Sequence, residues 1–188
     1  MAAATRISLS AALLAALIAL AGCGASASDY SQSQERRDLR AYVKGIEPLR
    51  TSVNDLLDGA DPILSGYSRH EFTATEAQAR LGALERRFAT YVRRVSAVQP
   101  VPPNMVAAQR AYAYTYVQED AYLRALTAAL PSRDWSTLPQ TENEQRRTLV
   151  AWRAKLAVEA ARLGVDIPRD MQRVGRDEIA PSPLGDDS

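Results

Sequence analysis

Cys23 and His70 are the only cysteine and the only histidine of the chain, so few side chains are available as a nucleophile, a general base or a soft metal ligand. His70 lies between Arg69 and Glu71, which do not complete a metal-ligand set with it. We therefore expect His70 to be exposed and to have no catalytic or metal-binding role.

Helical proteins that hold a cofactor need ligands at fixed spacings, and these spacings do not occur in the sequence. A di-iron bundle needs Glu-x-x-His pairs, and covalently bound haem needs Cys-x-x-Cys-His. A glycine-rich phosphate loop and the Gly-x-Ser-x-Gly turn of serine hydrolases are also missing. The sequence therefore predicts a protein that is not an enzyme and binds no metal and no cofactor.

The residues before Cys23 indicate what chemistry its thiol undergoes. Cys23 follows Leu20-Ala21-Gly22, which closes an apolar stretch from Ala11 to Ala21, and Arg6 is the one charge ahead of it. This order resembles the signal peptide and lipobox of bacterial lipoprotein precursors. The resemblance implies cleavage before Cys23, a thioether-linked diacylglycerol on its sulfur and, commonly, an acyl chain such as palmitate on the new N-terminus.

Two alternatives stay open for this segment. A transmembrane helix needs about 20 predominantly apolar residues, and Ala11 to Ala21 is shorter and only mildly apolar. An ordinary secretory signal would leave Cys23 as a free thiol with no disulfide partner. A lipid on Cys23 predicts an anchored protein on the extracytoplasmic side of the cell membrane or the outer membrane. An Asp directly after the lipidated cysteine resembles a signal for retention in the inner membrane. This chain has Gly24 at that position, which favours the outer membrane where there are two membranes.

The third predicted helix carries four tyrosines, which are Tyr112, Tyr114, Tyr116 and Tyr122. At 100° per residue, Tyr112 and Tyr116 share one face, and Tyr114 points about 200° away from Tyr112. Core packing explains Tyr112 and Tyr116. For Tyr114, packing is one interpretation and contact with a partner or a sugar is the other.

The second predicted helix carries a basic stripe beside its apolar seam. With the seam at the a and d positions of a heptad, Arg80, Arg87 and Arg94 all fall at g. One interpretation is a solvated flank that pairs with acids on adjacent helices. The other is recognition of phospholipid headgroups or of an acidic partner.

The charge balance of the chain argues against a general nucleic-acid-binding protein. Removing residues 1–22 takes away one positive charge, Arg6, and leaves 22 basic and 22 acidic side chains. A general nucleic-acid binder would show a marked basic excess. The charges are unevenly placed, since the chain from Asp166 onward has three Arg against six Asp or Glu.

The spacing of apolar residues predicts an all-α fold, an antiparallel up-down four-helix bundle with a kinked first helix. The first helix is expected from Glu35 to Asp58, with a kink or restart near Gly45 to Pro48. The second begins at a capping box at Thr73 and stops at Pro100, and the third runs from Pro103 to Leu130. The fourth runs from a second capping box at Thr141 to Leu163. Pro62 to Glu71 is expected to be a connection, and Gly164 to end the fourth helix.

The chain thus divides into a signal peptide (1–22), a lipidated cysteine with a flexible tether (23–34), one bundle domain (35–165) and a mostly disordered acidic tail (166–188). We expect a lipid-anchored, non-enzymatic interaction module of the cell envelope. The alternative is a small-ligand-binding accessory lipoprotein of a transporter or sensor. The sequence predicts partners in the membrane and among envelope proteins, and it leaves the oligomeric state open.

Overall fold

The chain folds into helices that pack against one another. The computed structural model describes residues 27–172 and 179–183, and no strand occurs in those ranges. The helices are α1 (Ala27–Asp58), α2 (Ala60–Ser68), α3 (Ala74–Ser96), α4 (Val106–Ala129), α5 (Glu142–Leu163) and α6 (Arg169–Gln172), with short 3-10 turns at Pro103–Met105 and Trp135–Thr137. Because α3 contacts α1 and α4, while α5 contacts α4 and α1, the four long helices enclose one core. The all-α prediction is confirmed.

The first helix begins earlier than the sequence predicts. α1 starts at Ala27 rather than Glu35, so the flexible tether predicted for residues 23–34 is wrong for Ala27 to Gln34. Side chains one turn apart span the predicted start at Glu35, since Gln34 Nε2 donates to Asp38 Oδ1 at 2.8 Å and Arg37 donates to Gln34 at 2.6 Å. Such polar pairs stabilise an exposed helix without an apolar face. The signal peptide and Cys23 lie outside the described residues.

Pro48 does not interrupt α1. The helix is continuous from Ala27 to Asp58 with Pro48 inside it, so the predicted restart is wrong. A proline deprives the carbonyl four residues earlier, here that of Lys44, of its donor. Pro48 and Lys44 are both exposed, so water can hydrate that carbonyl. The proline therefore lies on the side of the helix where it costs least.

The predicted connection from Pro62 to Glu71 is mostly helical. α2 spans Ala60–Ser68 and places Pro62 in its first turn, where a helical N–H has no intrahelical acceptor. Tyr67 is buried, and its hydroxyl donates to the carbonyl of Leu130 at 2.6 Å. Pro62 thus begins a helix where the sequence predicts a loop.

The seam of α3 supplies much of the core. Its buried members are Ala77, Leu81, Leu84, Phe88, Val95 and Val98, and only Tyr91 of the predicted set is half-buried. The other helices contribute large side chains that are less than 2 % exposed, among them Tyr42, Ile46, Tyr112, Leu123, Trp152 and Leu156. Burial of this continuous apolar seam is the main force that holds α3 against its neighbours.

The two predicted capping boxes differ in the structure. At the start of α3, Thr73 Oγ1 accepts the N–H of Glu76 at 3.2 Å, and the Glu76 carboxylate accepts the N–H of Thr73 at 2.8 Å. The bond from the Thr73 N–H, followed by one from the Thr73 hydroxyl to the same carboxylate, holds the pKa of Glu76 below its usual value. At the start of α5, Thr141 makes no side-chain cap bond, so the second capping box is wrong.

This difference predicts unequal effects for two matched substitutions. Thr73→Ala is expected to lower the free energy of unfolding by about 1 kcal/mol, because the N–H of Glu76 loses its acceptor. Thr141→Ala should change the free energy of unfolding by a few tenths of a kcal/mol at most. Urea unfolding followed by circular dichroism measures both, and equal losses would contradict this assignment of the caps.

Gly164 ends α5 as predicted. It adopts the left-handed conformation with φ 59°, and the N–H of Val165 then bonds the carbonyl of Ala160 at 2.9 Å. The chain after it is not wholly disordered. In the segment 179–183, Ala180 is buried and its N–H donates to Glu119 Oε1 at 3.0 Å, so the prediction of a disordered tail is wrong for these five residues. Residues 173–178 and 184–188 lie outside the described ranges.

Contacts between helix ends define two ends of the bundle. At the end where α1 begins, Arg36 Nε donates to the carbonyl of Leu163 at 2.7 Å, and Asn104 donates to Glu159 at 3.4 Å. We call this the proximal end. At the other, distal end, Gln78 Nε2 donates to the carbonyl of Thr127 at 3.2 Å. The start of α4 thus lies at the proximal end, and the start of α3 lies at the distal end.

Candidate functional site

A buried hydrogen-bonded network joins four helices inside the bundle. Trp152 Nε1 on α5 donates to the hydroxyl of Tyr42 on α1 at 2.8 Å, and that hydroxyl donates to Gln109 Oε1 on α4 at 2.5 Å. The amide of Gln109 then donates to the carbonyl of Val95 on α3 at 2.9 Å. Each polar group of this chain of bonds has a partner, which is what a buried polar network needs in order to stabilise. Its role is to fix the register of the helices.

Aromatic rings continue this network along α4. Tyr112 stacks on Trp152 with ring centroids 4.2 Å apart, and its hydroxyl lies 2.9 Å from that of Tyr116. Tyr116 in turn stacks on Phe88 at 5.7 Å. The core-packing interpretation of Tyr112 and Tyr116 is therefore confirmed.

Glu119 is a buried acid that the sequence analysis did not single out. It is 1 % exposed, and its two oxygens accept the N–H of Ala180 at 3.0 Å and Gln145 Nε2 at 3.1 Å. Burial raises the pKa of Glu119 to about 7, against the two hydrogen bonds that lower it. A signal was present, since Glu119 follows Tyr112 and Tyr116 at helical spacing and so falls on the buried face.

Tyr122 lies beside this acid and contacts the same segment. Its hydroxyl donates to the carbonyl of Pro181 at 3.3 Å, and burial followed by the charge of Glu119 raises its pKa. Glu119 and Tyr122 thus hold residues 179–183 against α4. Because both groups are occupied by the chain itself, they form a structural clasp.

The three arginines of the predicted basic stripe are all exposed. The guanidinium of Arg80 lies over the ring of Phe72 at 3.9 Å, and that of Arg94 lies over Tyr91 at 5.0 Å. Arg80 and Arg87 also line a groove of about 410 Å³ between α1, α2 and α3, with Tyr91 at one side. These two arginines are thus brought together, and Arg94 lies further along the same helix.

The pairing with acids that one interpretation of the stripe predicts is not found among the described residues. Besides Arg80, Arg87 and Arg94, α3 carries Arg86 and Arg93, and none of the five lies within 4.0 Å of a carboxylate oxygen in the ranges 27–172 and 179–183. The helix–helix ion pair of this region uses Glu85 instead, which accepts Arg124 Nε at 3.2 Å. The positive charge of α3 therefore faces solvent.

Tyr114 is 57 % exposed and lies apart from the α3 stripe. It lines a second groove, of about 530 Å³, between the end of α3 and the first half of α4. Val101, Arg110 and Val117 line the same groove. The structure thus separates the predicted contact residues into two places, with Arg80 and Arg87 in one groove and Tyr114 in the other.

The structure offers no arrangement for metal chemistry in the part of the chain that it describes, where no group of three His, Cys, Asp or Glu side chains converges. His70 is exposed in the turn after α2, with φ 60°, and its N–H donates to the carbonyl of Tyr67 at 3.1 Å. Its position is that of a turn residue. None of the described helices is both long and apolar enough to span a bilayer.

Comparisons with protein families, with curated proteins and with solved structures find no match to this chain.

Proposed function

We propose that this chain is a lipid-anchored, extracytoplasmic helical protein of non-enzymatic character that acts as an interaction module of the cell envelope. The observation that carries the proposal is the sequence Leu20-Ala21-Gly22-Cys23 at the end of an apolar stretch, which resembles a lipobox. Only three residues separate Cys23 from the first residue of α1, Ala27. A diacylglycerol on Cys23 would therefore hold the bundle by its proximal end, within about 14 Å of fully extended chain. The anchor would lie in the cell membrane or in the outer membrane.

The energy of such an anchor is ample. Each buried CH₂ contributes about 0.8 kcal/mol, and a single acyl chain gives only marginal, reversible binding. A diacylglycerol supplies two chains and an N-acyl group supplies a third. Stable attachment would then need no membrane-spanning helix in the mature chain.

The exposed arginines of α3 support an interaction role for the bundle. Five guanidinium groups on one helix lie free of salt bridges with described residues, so an acidic partner or anionic headgroups could engage them without first breaking an internal ion pair. We further propose an antiparallel up-down order for α1, α3, α4 and α5, which the contacts at the two ends of the bundle support.

Substitution of Cys23 tests the anchor. In a bacterium that expresses the chain, Cys23→Ala is expected to abolish incorporation of labelled palmitate and to leave residues 1–22 uncleaved, because the thioether cannot form and the cleavage before Cys23 depends on it. Ser26→Ala, three residues away, is the matched control and should leave both readouts unchanged. Palmitate labelling that persists in Cys23→Ala would contradict the proposal.

A small-ligand-binding accessory protein of a transporter or sensor is the second candidate, and the groove of about 410 Å³ favours it. Asp55 on α1 and Arg80 and Arg87 on α3 converge there above the apolar side chains of Leu56 and Leu84. A few polar groups over an apolar floor are typical of small-molecule sites. A small molecule that co-purifies with the protein and is lost in Arg87→Ala would favour this candidate over the interaction module.

A further inference from the structure

Charge is distributed unequally between the two ends of the bundle. The proximal half comprises residues 31–45, 88–117 and 153–168, which hold ten Lys or Arg against four Asp or Glu. The distal half comprises residues 46–87 and 118–152, which hold nine Lys or Arg against twelve Asp or Glu. The proximal half therefore carries a net charge of +6, and the distal half carries −3. The basic end is the one where α1 begins.

The same basic end exposes large apolar side chains. Val106, Tyr114 and Val117 on α4 are 43 %, 57 % and 45 % exposed. With Arg110 they recur every three or four residues, so they share one face of the helix. This face borders the groove of about 530 Å³, which Val101 also lines. We call these five residues the α4 face.

The composition of the α4 face suits the headgroup layer of a bilayer. Tyrosine is enriched at that level because its ring is apolar and its hydroxyl is polar. Apolar side chains beside basic ones are typical of segments that lie in the interface plane. Arg93, at the end of α3, adds an exposed positive charge at the same end of the bundle, on the helix face of Ser96, which lines that groove. Each basic side chain near an anionic membrane surface adds to the attraction.

The length of chain before the bundle allows this contact. Cys23 to Ala27 spans at most about 14 Å, and the eight residues from Ala27 to Gln34 add about 12 Å of helix. A lipid on Cys23 would thus keep the start of the packed bundle, near Glu35, within about 26 Å of its attachment point. A bundle that leans on its α4 side can then reach the membrane surface.

We propose that the α4 face lies against the anionic phospholipid surface in which the protein is anchored, with Tyr114 and the valines at headgroup level and Arg93 and Arg110 on the phosphates. This inference rests on the proposed lipid anchor. We infer a bilayer as the occupant because the basic charge, the exposed apolar side chains and the start of α1 all lie at the proximal end of the bundle. An acidic protein partner would not need to bind near the anchor.

Site-directed labelling of the lipidated full-length protein tests the contact. Lipidation blocks the thiol of Cys23, so an introduced cysteine is the one free thiol of the chain. Val117→Cys places a fluorophore on the α4 face. Ala128→Cys is the matched control, since it is exposed on the same side of α4, three turns and about 16 Å toward the distal end. In vesicles that contain phosphatidylglycerol, a lipid-borne quencher is expected to quench the Val117 label at least about twofold more than the Ala128 label.

Charge reversal tests whether anionic headgroups contact the α4 face. Combining Arg93→Glu and Arg110→Glu in the Val117→Cys protein is expected to reduce quenching to the Ala128 level. Arg146→Glu with Arg147→Glu, exposed near the distal end, should leave quenching unchanged. Circular dichroism checks that both sets of variants keep their helix content.

The outcomes separate this inference from the proposed function. A lipidated protein whose Val117 and Ala128 labels are quenched equally would overturn the inference and leave the anchor standing. A Val117 label that is quenched equally in vesicles of neutral lipid alone would also overturn it, because the contact would then not require anionic headgroups. A chain that carries no lipid when made in bacteria would instead defeat the proposed function.

Discussion

Replacing Trp152 with alanine is expected to lower the free energy of unfolding by about 4 kcal/mol, in the range found for large aromatic side chains removed from cores. Trp152 is 1 % exposed, stacks on Tyr112 and donates a hydrogen bond to Tyr42. Its removal leaves a cavity and takes one donor from the network that joins α1, α3, α4 and α5. We expect a large fall in the urea midpoint of unfolding. Far-ultraviolet circular dichroism is the suitable measurement, because the substitution alters tryptophan fluorescence.

The chain contains a matched control, since Trp135 is its other tryptophan. Trp135 is half-buried on the 3-10 turn between α4 and α5, and it packs against the edge of the core. Trp135→Ala should therefore cost about 1 kcal/mol, close to the average for point substitutions. Equal losses for the two variants would mean that Trp152 is not the centre of the packed core.

Glu119 is expected to make the protein less stable as the pH rises. Its pKa is about 7 in the folded chain, where burial is the main cause, and 4.5 is the ordinary value. The folded state therefore binds more protons than the unfolded state between these two values. The favourable contribution of Glu119 to the free energy of unfolding is complete below pH 4.5 and is lost as the pH rises through 7. A difference of about 2.5 pKa units corresponds to about 3 kcal/mol.

Glu119→Gln isolates this contribution because it keeps the size of the side chain and removes the titration. The free energy of unfolding of the wild type, relative to that of Glu119→Gln, should fall by about 3 kcal/mol between about pH 4.5 and pH 8. Glu144→Gln, on the exposed side of α5, should show no such change. Urea unfolding at several pH values measures all three proteins. A constant difference between wild type and Glu119→Gln would contradict a raised pKa. Glu142, which also raises the pKa of Glu119, is unchanged in both variants.

The elements that the sequence predicted best are those determined by local signals. The apolar seam of α3, its capping box at Thr73 and the stop at Gly164 depend on residues close together in the chain. The errors arose where a local signal had two structural outcomes. Pro62 can end a helix or begin one, and in this chain it lies in the first turn of α2. Thr141 has the composition of a capping box without the backbone geometry of one.

The clasp of the C-terminal segment could not be predicted from composition alone. Residues 179–183 are rich in proline and small side chains, and their order depends on Glu119, 61 residues away from Ala180 in sequence. For the candidate contact residues, spacing correctly put Arg80, Arg87, Arg94 and Tyr114 on exposed faces. The division of these residues between two grooves depends on how α2 and the end of α3 pack, which no local pattern specifies.

The most direct test of the central claim, that Cys23 is the lipidated N-terminus of the mature protein, is the intact mass of the chain purified from the envelope of a bacterium that expresses it. We expect a chain that begins at Cys23, has lost residues 1–22 and carries the added mass of a diacylglyceryl group, with or without a further acyl chain. A chain that keeps residues 1–22, or one that begins at Cys23 or beyond with no added lipid mass, would contradict that claim.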